Sequence, residues 1–226
     1  MPHQRTRAGL TGLTATLLLS VSAIALPAQA GVVTDPANDF IPTFTGVHNG
    51  SLDVLSLAAS FDGVNFHISA TENGNIASFP TGLFVIGFDR GKGAVTSNFA
   101  RIGLPGVIFD SVITLTSTGV LGGRDLVSNT PIVLPNSDAT ISGSTFQITI
   151  PLSALPSQGF LPAQYGVNLW PRDAAAPRPA TATTTDFQIA DFAPNAGLLV
   201  VPEPVSFSLL ATGLLGLGFV RRRRSA

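Results

Sequence analysis

The sequence lacks cysteine altogether and has few charged residues. No disulfide scaffold is therefore possible, although the absence of thiols is only compatible with an oxidising compartment and does not prove one. Charged side chains make up 11% of the chain, against about 25% in typical soluble domains. The hydrophobic content of 45% is still high enough for a core, which argues against intrinsic disorder. A chain of 226 residues predicts one domain of ordinary size.

Basic residues are scarce in the middle of the chain and concentrated at its ends. Positions 31–201 carry six basic and twelve acidic residues, a net charge of −6, which makes nucleic acid an unfavourable partner. The other six basic residues lie close to the two ends: Arg5, Arg7, Arg221, Arg222, Arg223 and Arg224. This distribution indicates that the ends act differently from the middle.

The N-terminal segment has the pattern of a secretory signal peptide. Two arginines precede an apolar run at 15–26, and small residues at Ala28 and Ala30 follow a proline. We expect the Sec translocon and signal peptidase to act here, with cleavage between Ala30 and Gly31. The alternative is a transmembrane anchor, but twelve helical residues span only about 18 Å of a hydrocarbon core about 30 Å thick.

The C-terminal segment combines three signals in a fixed order. Pro202, Glu203 and Pro204 precede an apolar run at 205–220, and the four arginines follow it. Sixteen helical residues cover about 24 Å, which is marginal for a membrane span, and the arginines are expected to stay cytoplasmic as a stop-transfer signal. The alternative is a permanent single-span anchor.

This tail resembles the PEP-CTERM sorting signal of Gram-negative bacteria. The resemblance implies recognition by a membrane-embedded, exosortase-type processing enzyme and removal of the tail near the Pro-Glu-Pro motif. It also implies a transient inner-membrane anchor, followed by delivery to the cell surface or an exopolysaccharide-rich extracellular matrix. The sequence therefore divides into a signal peptide at 1–30, a domain at 31–200 and a sorting tail at 201–226.

Alternation of apolar and polar residues predicts an all-β domain. The alternation is regular at 64–71 and 145–150, as expected of strands with one buried face. Gly143 and Ser144 predict a hairpin with a strand at 139–142, and Asp62 and Gly63 predict another turn. Further strands are predicted at 52–60, 83–88, 107–116, 165–170 and 187–192, with 83–88 in a central position.

Seven or more short strands separated by turns predict a two-sheet β-sandwich of jelly-roll or immunoglobulin-like type, with a barrel as the alternative. The proline- and threonine-rich segment at 174–185 is expected to form a long surface loop.

The domain also resembles secreted sandwiches of the DOMON and family 9 carbohydrate-binding-module groups. The residues that carry this resemblance are short segments at 35–39, 61–66, 87–93 and 150–155. Relatives often have a second acid after the position of Asp89, whereas here Arg90 and Lys92 follow. This departure puts metal binding by that loop in doubt.

The residues needed for catalysis are few. His48, His67 and Glu72 are the only histidines and glutamate of the exported part, and neither a Gly-x-Ser-x-Gly nor a His-Glu-x-x-His motif is present. His48, beside Asn-Gly, is interpreted as a turn residue. We expect a protein that is not an enzyme, with a secreted hydrolase as a distant alternative.

Calcium is the one metal that the sequence favours, because it prefers carboxylate and carbonyl oxygens. Asp35 and Asp39 flank a proline turn, and Asp89 is a third candidate ligand. The competing interpretation is that Asp35 and Asn38 only form Asx-type turns.

Sugar binding would need an exposed aromatic ring, and the candidates are Trp170 and Tyr165, the only tryptophan and tyrosine. Alternation places Trp170 on the face of its strand opposite Tyr165, and packing in the core is the competing interpretation. Taken together, the sequence predicts an exported, non-enzymatic binding or structural protein associated with exopolysaccharide. The alternative is a calcium-dependent carbohydrate-binding module.

Overall fold

The computed structural model describes residues 30–93 and 97–202. The signal peptide predicted at 1–30, except for Ala30, and the sorting tail from Glu203 onward lie outside the described residues. Thirteen strands are present in the described part: β1 (Gly31–Thr34), β2 (Val54–Phe61), β3 (Asn65–Glu72), β4 (Gly82–Asp89), β5 (Ser97–Phe99), β6 (Leu104–Phe109), β7 (Ser111–Thr116), β8 (Leu121–Asp125), β9 (Thr130–Ile132), β10 (Ala139–Ser142), β11 (Thr145–Pro151), β12 (Gly166–Asp173) and β13 (Leu199–Val200).

The strands form two large antiparallel sheets and one small ribbon. The five-stranded sheet has the order β1-β2-β3-β11-β10, the six-stranded sheet has the order β13-β12-β4-β7-β8-β9, and β5 pairs with β6. Inward-facing side chains of both large sheets share one buried core, with the Phe84 and Phe146 rings 5.3 Å apart across it. The described domain is therefore all-β and sandwich-like, because two sheets bury their apolar faces against each other.

Sequence alternation predicts much of the five-stranded sheet. The alternating segments form β3 and β11, which pair with each other in antiparallel register, and β10 and β11 form the predicted hairpin across Gly143. Gly143 has a φ of 60°, a left-handed conformation that glycine adopts without a steric cost. The turn between β2 and β3 is also confirmed, with Asp62 Oδ1 accepting hydrogen bonds from the Val64 and Asn65 amides.

Two of the predicted strands are wrong in detail. The segment at 107–116 is not one strand, because the chain leaves the ribbon and enters the six-stranded sheet at Asp110. The segment at 187–192 forms a short 3-10 turn and irregular chain joined to β12 by isolated bridges at Ile189 and Ala193. Strand β4 does lie centrally, between β12 and β7, as its apolar composition predicted.

Asp110 is part of a buried ion-pair network that fixes this change of sheet. The Arg90 Nε atom donates to Asp110 Oδ1 at 2.6 Å, and Arg90 Nη2 donates to Asp125 Oδ2 at 2.8 Å. The Arg90 and Asp110 side chains are fully buried. Because the Arg90 guanidinium is buried and already paired with Asp110 and Asp125, it is not available to a surface ligand.

The first and last described strands lie side by side at one end of the sandwich. A Cβ atom placed on Gly31 would lie 2.9 Å from the Val200 carbonyl oxygen and 3.4 Å from Pro202 Cδ. Val201 is fully buried, and its amide donates to the Tyr165 carbonyl at 3.0 Å. Both ends of the domain therefore leave from the same region of its surface.

Among the described residues, no helix is long and apolar enough to span a membrane.

Candidate functional site

A cluster of carboxylates lies at the end of the sandwich opposite the two chain ends. Asp35 and Asp39 lie in the loop after β1, Asp53 directly precedes β2, and Glu72 is the last residue of β3. Asp191 comes from the irregular segment after β12. We refer to these five residues as the acidic cluster. Both large sheets contribute to it: Glu72 lies on β3 of the five-stranded sheet, and isolated bridges join the segment that carries Asp191 to β12 of the six-stranded sheet.

Three members of the acidic cluster have the spacing of ligands around one cation. One carboxylate oxygen each of Asp35, Asp39 and Asp191 lies within 4.8 Å of the other two. Calcium binds oxygen at about 2.3–2.6 Å, so two oxygens on the same ion can be at most about 5 Å apart. The three oxygens satisfy this limit as they stand.

Neighbouring groups hold the Asp191 and Asp39 carboxylates in place. Asp191 Oδ2 accepts a hydrogen bond of 2.8 Å from the Val54 amide, 137 residues away in sequence, and Oδ1 accepts one of 2.7 Å from Phe192. Asp39 Oδ2 accepts one of 2.8 Å from the Asn195 side chain. The site is therefore positioned by contacts that join the start and the end of the domain.

Asp53 shapes the loop that carries Asp35 and Asp39. Both of its carboxylate oxygens accept from the Asn38 amide at 2.9 Å, and Oδ2 also accepts from Asn73 Nδ2 at 2.8 Å. Asn38 has a φ of 63°, a left-handed conformation that asparagine tolerates better than most residues. Asp53 thus holds the loop in place, and both of its carboxylate oxygens already accept hydrogen bonds.

Several other oxygens of the cluster are buried without any hydrogen-bond donor in the described structure. They are Asp35 Oδ2, Asp39 Oδ1 and both oxygens of Glu72. Glu72 is only 1% exposed, so bulk solvent does not reach its carboxylate. Burying a carboxylate without a partner costs free energy, and a bound cation would remove that cost.

The pKa values of Asp35, Asp191 and Glu72 reflect the burial of these carboxylates close to one another. Burial, with the Asp39 and Asp53 charges, raises the pKa of Asp35 to about 7. Burial is also the main reason why the pKa of Asp191 rises to about 8, with Asp35 and Asp39 adding to the rise. The pKa of Glu72 lies well above its ordinary value, first through burial and then through the Asp191, Asp53 and Asp35 charges. Without a cation, the cluster therefore holds protons at neutral pH.

Of the three candidate calcium ligands from the sequence, the structure brings two together. Asp35 and Asp39 lie in the acidic cluster. Asp89 lies at the far end of β4, next to Gly166 of β12, and its Oδ1 accepts a hydrogen bond of 3.1 Å from the Gly91 amide. Its position at the other end of the sandwich separates Asp89 from that site, and its contacts are those of a turn residue.

Sequence reasoning missed three members of the cluster, and a signal for one of them was present. The alternation that predicts β3 puts Phe66, Ile68 and Ala70 inward, and the same period puts Glu72 inward as well. An acid at an inward position needs a partner, and this observation could have pointed to the site. Asp53 and Asp191 had no such signal, because only the tertiary fold brings them to this end.

The two candidate sugar-binding rings are both buried. Tyr165 is completely buried, and its hydroxyl donates to the Leu155 carbonyl at 3.1 Å. Trp170 lies on the opposite face of β12, as predicted, but it is only 3% exposed and packs against Phe109 with ring centroids 4.7 Å apart. Neither ring is exposed on the surface of the domain as a platform for a sugar, so the structure supports the core-packing interpretation.

The predicted processing residues are only partly described. Ala30 is exposed directly before β1, Gly31 begins that strand, and Pro202 follows the buried Val201. Glu203, Pro204 and the arginines Arg221, Arg222, Arg223 and Arg224 lie outside the described residues.

No known protein family matches the chain, and no curated protein is significantly similar to it in sequence.

Proposed function

We propose that this chain is an exported, non-enzymatic β-sandwich that binds one calcium ion in the acidic cluster. We propose a jelly-roll or immunoglobulin-like sandwich, serving as a binding or structural component at the surface or in the exopolysaccharide matrix of a Gram-negative bacterium. The observation that carries the calcium proposal is the convergence of Asp35, Asp39 and Asp191 oxygens within 4.8 Å.

The chemistry of the cluster favours calcium over other metals. All its side chains supply oxygen, whereas zinc and copper sites usually contain histidine or cysteine. Magnesium demands a near-ideal octahedron and keeps several waters, which suits a buried cluster poorly. Asp191 is fully buried and Glu72 nearly so. That burial also leaves little room for a substrate, which supports a structural rather than a catalytic use of the acids.

Calcium would stabilise the domain by joining distant parts of the chain. It would tie the loop after β1 to the segment after β12, and it would neutralise the repulsion among carboxylates that now raises their pKa values. Extracellular calcium modules bind with dissociation constants of about 10⁻⁴–10⁻³ M, so millimolar calcium would keep the site filled.

Thermal unfolding tests this proposal. At about 5 mM calcium and a dissociation constant of about 10⁻⁴ M, the gain is about 2 kcal/mol. For a domain of this size, such a gain corresponds to a rise of about 5–9 °C in the melting temperature relative to chelator. Asp191→Asn should remove the calcium-dependent rise, while Asp138→Asn, outside the cluster, should retain it. Equal melting temperatures of the wild-type protein in calcium and chelator would refute the calcium proposal.

Export and sorting form the second part of the proposal, and they rest on the sequence of the two ends. The Sec translocon and signal peptidase would release Gly31 as the new N-terminus, and an exosortase-type enzyme would remove the tail near Pro202. The proximity of Gly31 to Val200 supports this arrangement, because both hydrophobic segments could then enter one membrane from the same side of the domain.

Intact-mass measurement of material from the cell surface tests the sorting proposal. We expect a chain that begins at Gly31 and ends near the Pro-Glu-Pro motif. Glu203→Ala should leave export unchanged but trap uncut protein in the inner membrane. Surface material that extends from Gly31 to Ala226 would instead favour the permanent anchor.

A further inference from the structure

A second apolar cluster covers the outer face of the six-stranded sheet. Trp170 of β12 and Val85 of β4 point away from the main core and pack under the β5–β6 ribbon, against Phe109. Gly87 makes this packing possible, because a Cβ atom there would come within 2.6 Å of the Trp170 ring. The sheet is therefore apolar on both faces where the ribbon covers it.

Beside the ribbon, this outer layer contains a cavity of about 320 Å³. Small-molecule sites in proteins range from about 300 to 1,000 Å³, so the cavity suits a compact ligand. Most of its wall is apolar, formed by side chains that include Leu83, Val85, Phe109, Val112, Trp170 and Ile189.

The wall of the cavity carries more positive than negative charge. Its charged residues are Arg101, Arg172 and Asp186. Asp186 is already engaged, because both of its oxygens accept hydrogen bonds from Arg101. Among the described residues, Arg172 Nη2 donates to the neutral oxygens of Gln188 and Thr185, and its buried Nε atom has no acceptor.

This leaves the Arg172 guanidinium short of an anionic partner. Burial lowers the pKa of Arg172 below its ordinary value, although the Asp186 charge opposes this shift. Arg124 of β8 lies next to Val112 in register and therefore adds positive charge to the same face of the sheet. This face of the sheet therefore favours an anionic ligand, although the domain as a whole carries a net negative charge.

We propose that the cavity binds a small carboxylate with an apolar body, such as an aromatic or branched aliphatic acid. The apolar part would pack against Trp170 and Phe109, and the carboxylate would face Arg172. A sugar would leave its hydroxyls against apolar walls, and a cation would be repelled by two arginines, so neither fits as well. This proposal is independent of calcium binding and of sorting.

Trp170 provides the assay, because it is the only tryptophan in the chain and lines the cavity. The exported protein is titrated with 3-phenylpropionate and, separately, with its neutral amide, and indole emission is recorded. We expect a saturable change with the acid and at least about tenfold weaker binding of the amide, because hydrogen bonds to charged groups contribute about 1.5–3 kcal/mol. Linear quenching without saturation, or equal affinities for acid and amide, would overturn the proposal.

Two variants and a matched control locate the binding. Arg172→Gln should weaken binding of the acid at least about tenfold, whereas Arg178→Gln should not change it. Arg178 is an exposed arginine of the loop at 174–185 and does not line the cavity. Val112→Phe narrows the cavity and keeps both arginines, so it should weaken binding at least about tenfold even if Arg172→Gln proves too unstable to study. Unchanged affinity in Val112→Phe, with a normal melting temperature, would exclude this cavity.

Discussion

The raised pKa values in the acidic cluster predict that calcium binding depends steeply on pH. Calcium requires ionised ligands, so each proton held by the cluster must leave when the ion binds. With pKa values of about 7 for Asp35 and about 8 for Asp191, the two groups together hold roughly one to two protons at pH 7. We therefore expect calcium binding at pH 7 to release roughly one to two protons from these two residues, with any proton on Glu72 adding to that number.

The same pKa values set the size of the change in affinity. Between pH 6 and pH 8, deprotonation of Asp35 contributes a factor of about 10 and deprotonation of Asp191 a factor of about 50. Calcium affinity should thus rise by roughly two to three orders of magnitude over this interval, equivalent to about 3–4 kcal/mol.

Isothermal titration calorimetry in buffers of different ionisation enthalpy measures both quantities. Asp191→Asn should weaken binding and lower the proton release at pH 7, because it removes the group with the higher pKa of the two, while Asp138→Asn should match the wild-type protein. Affinity that does not change between pH 6 and pH 8, or binding without proton release, would refute the reasoning.

The remaining predictions concern stability. Without calcium, carboxyl groups with raised pKa values favour folding at low pH and oppose it once they must ionise, so the melting temperature in chelator should fall from pH 5 to pH 8. Glu72→Gln should reduce that fall, and an unchanged dependence of the melting temperature on pH would contradict a buried acid at this position. Asp110→Asn leaves Arg90 with an incomplete partner set and should cost about 3 kcal/mol in urea unfolding, whereas a loss as small as that of Asp138→Asn would argue against the buried network. Gly87→Ala should cost about 1–3 kcal/mol and shift Trp170 emission, because the new Cβ would meet the indole ring at 2.5 Å; a neutral effect would mean that the ring does not lie there.

The sequence predicts the strands with one wet face better than any other part of this fold. Alternation identifies β3 and β11 because their outward residues stay polar. It fails at 107–116, because residues 107–109 are apolar on both faces and the break at Asp110 depends on Arg90, a residue 20 positions away. Strands of two or three residues, such as β13, have too few positions to show a period.

The residues of the candidate site also differ in how far the sequence predicts them. Asp35 and Asp39 could be paired from sequence because one short loop carries both. Asp191 could not, since its place beside them depends on the amide of Val54, 137 residues away. The aromatic candidates failed for a different reason: alternation correctly separated Trp170 from Tyr165, but it cannot show that the β5–β6 ribbon, about 60 residues earlier in the chain, covers the outer face of the sheet.

The contact between Gly31 and Val200 brings the two ends of the domain so close together that a short linker could join them. A linker of about four residues reaches roughly 13 Å, which is ample to connect Pro202 to Gly31. If the chain were opened instead in the surface loop at 174–185, every strand pairing of both large sheets would be preserved. A circularly permuted protein of this design would place its new ends in that loop, so the acidic cluster and the outer cavity could be studied with no hydrophobic segment attached to the domain.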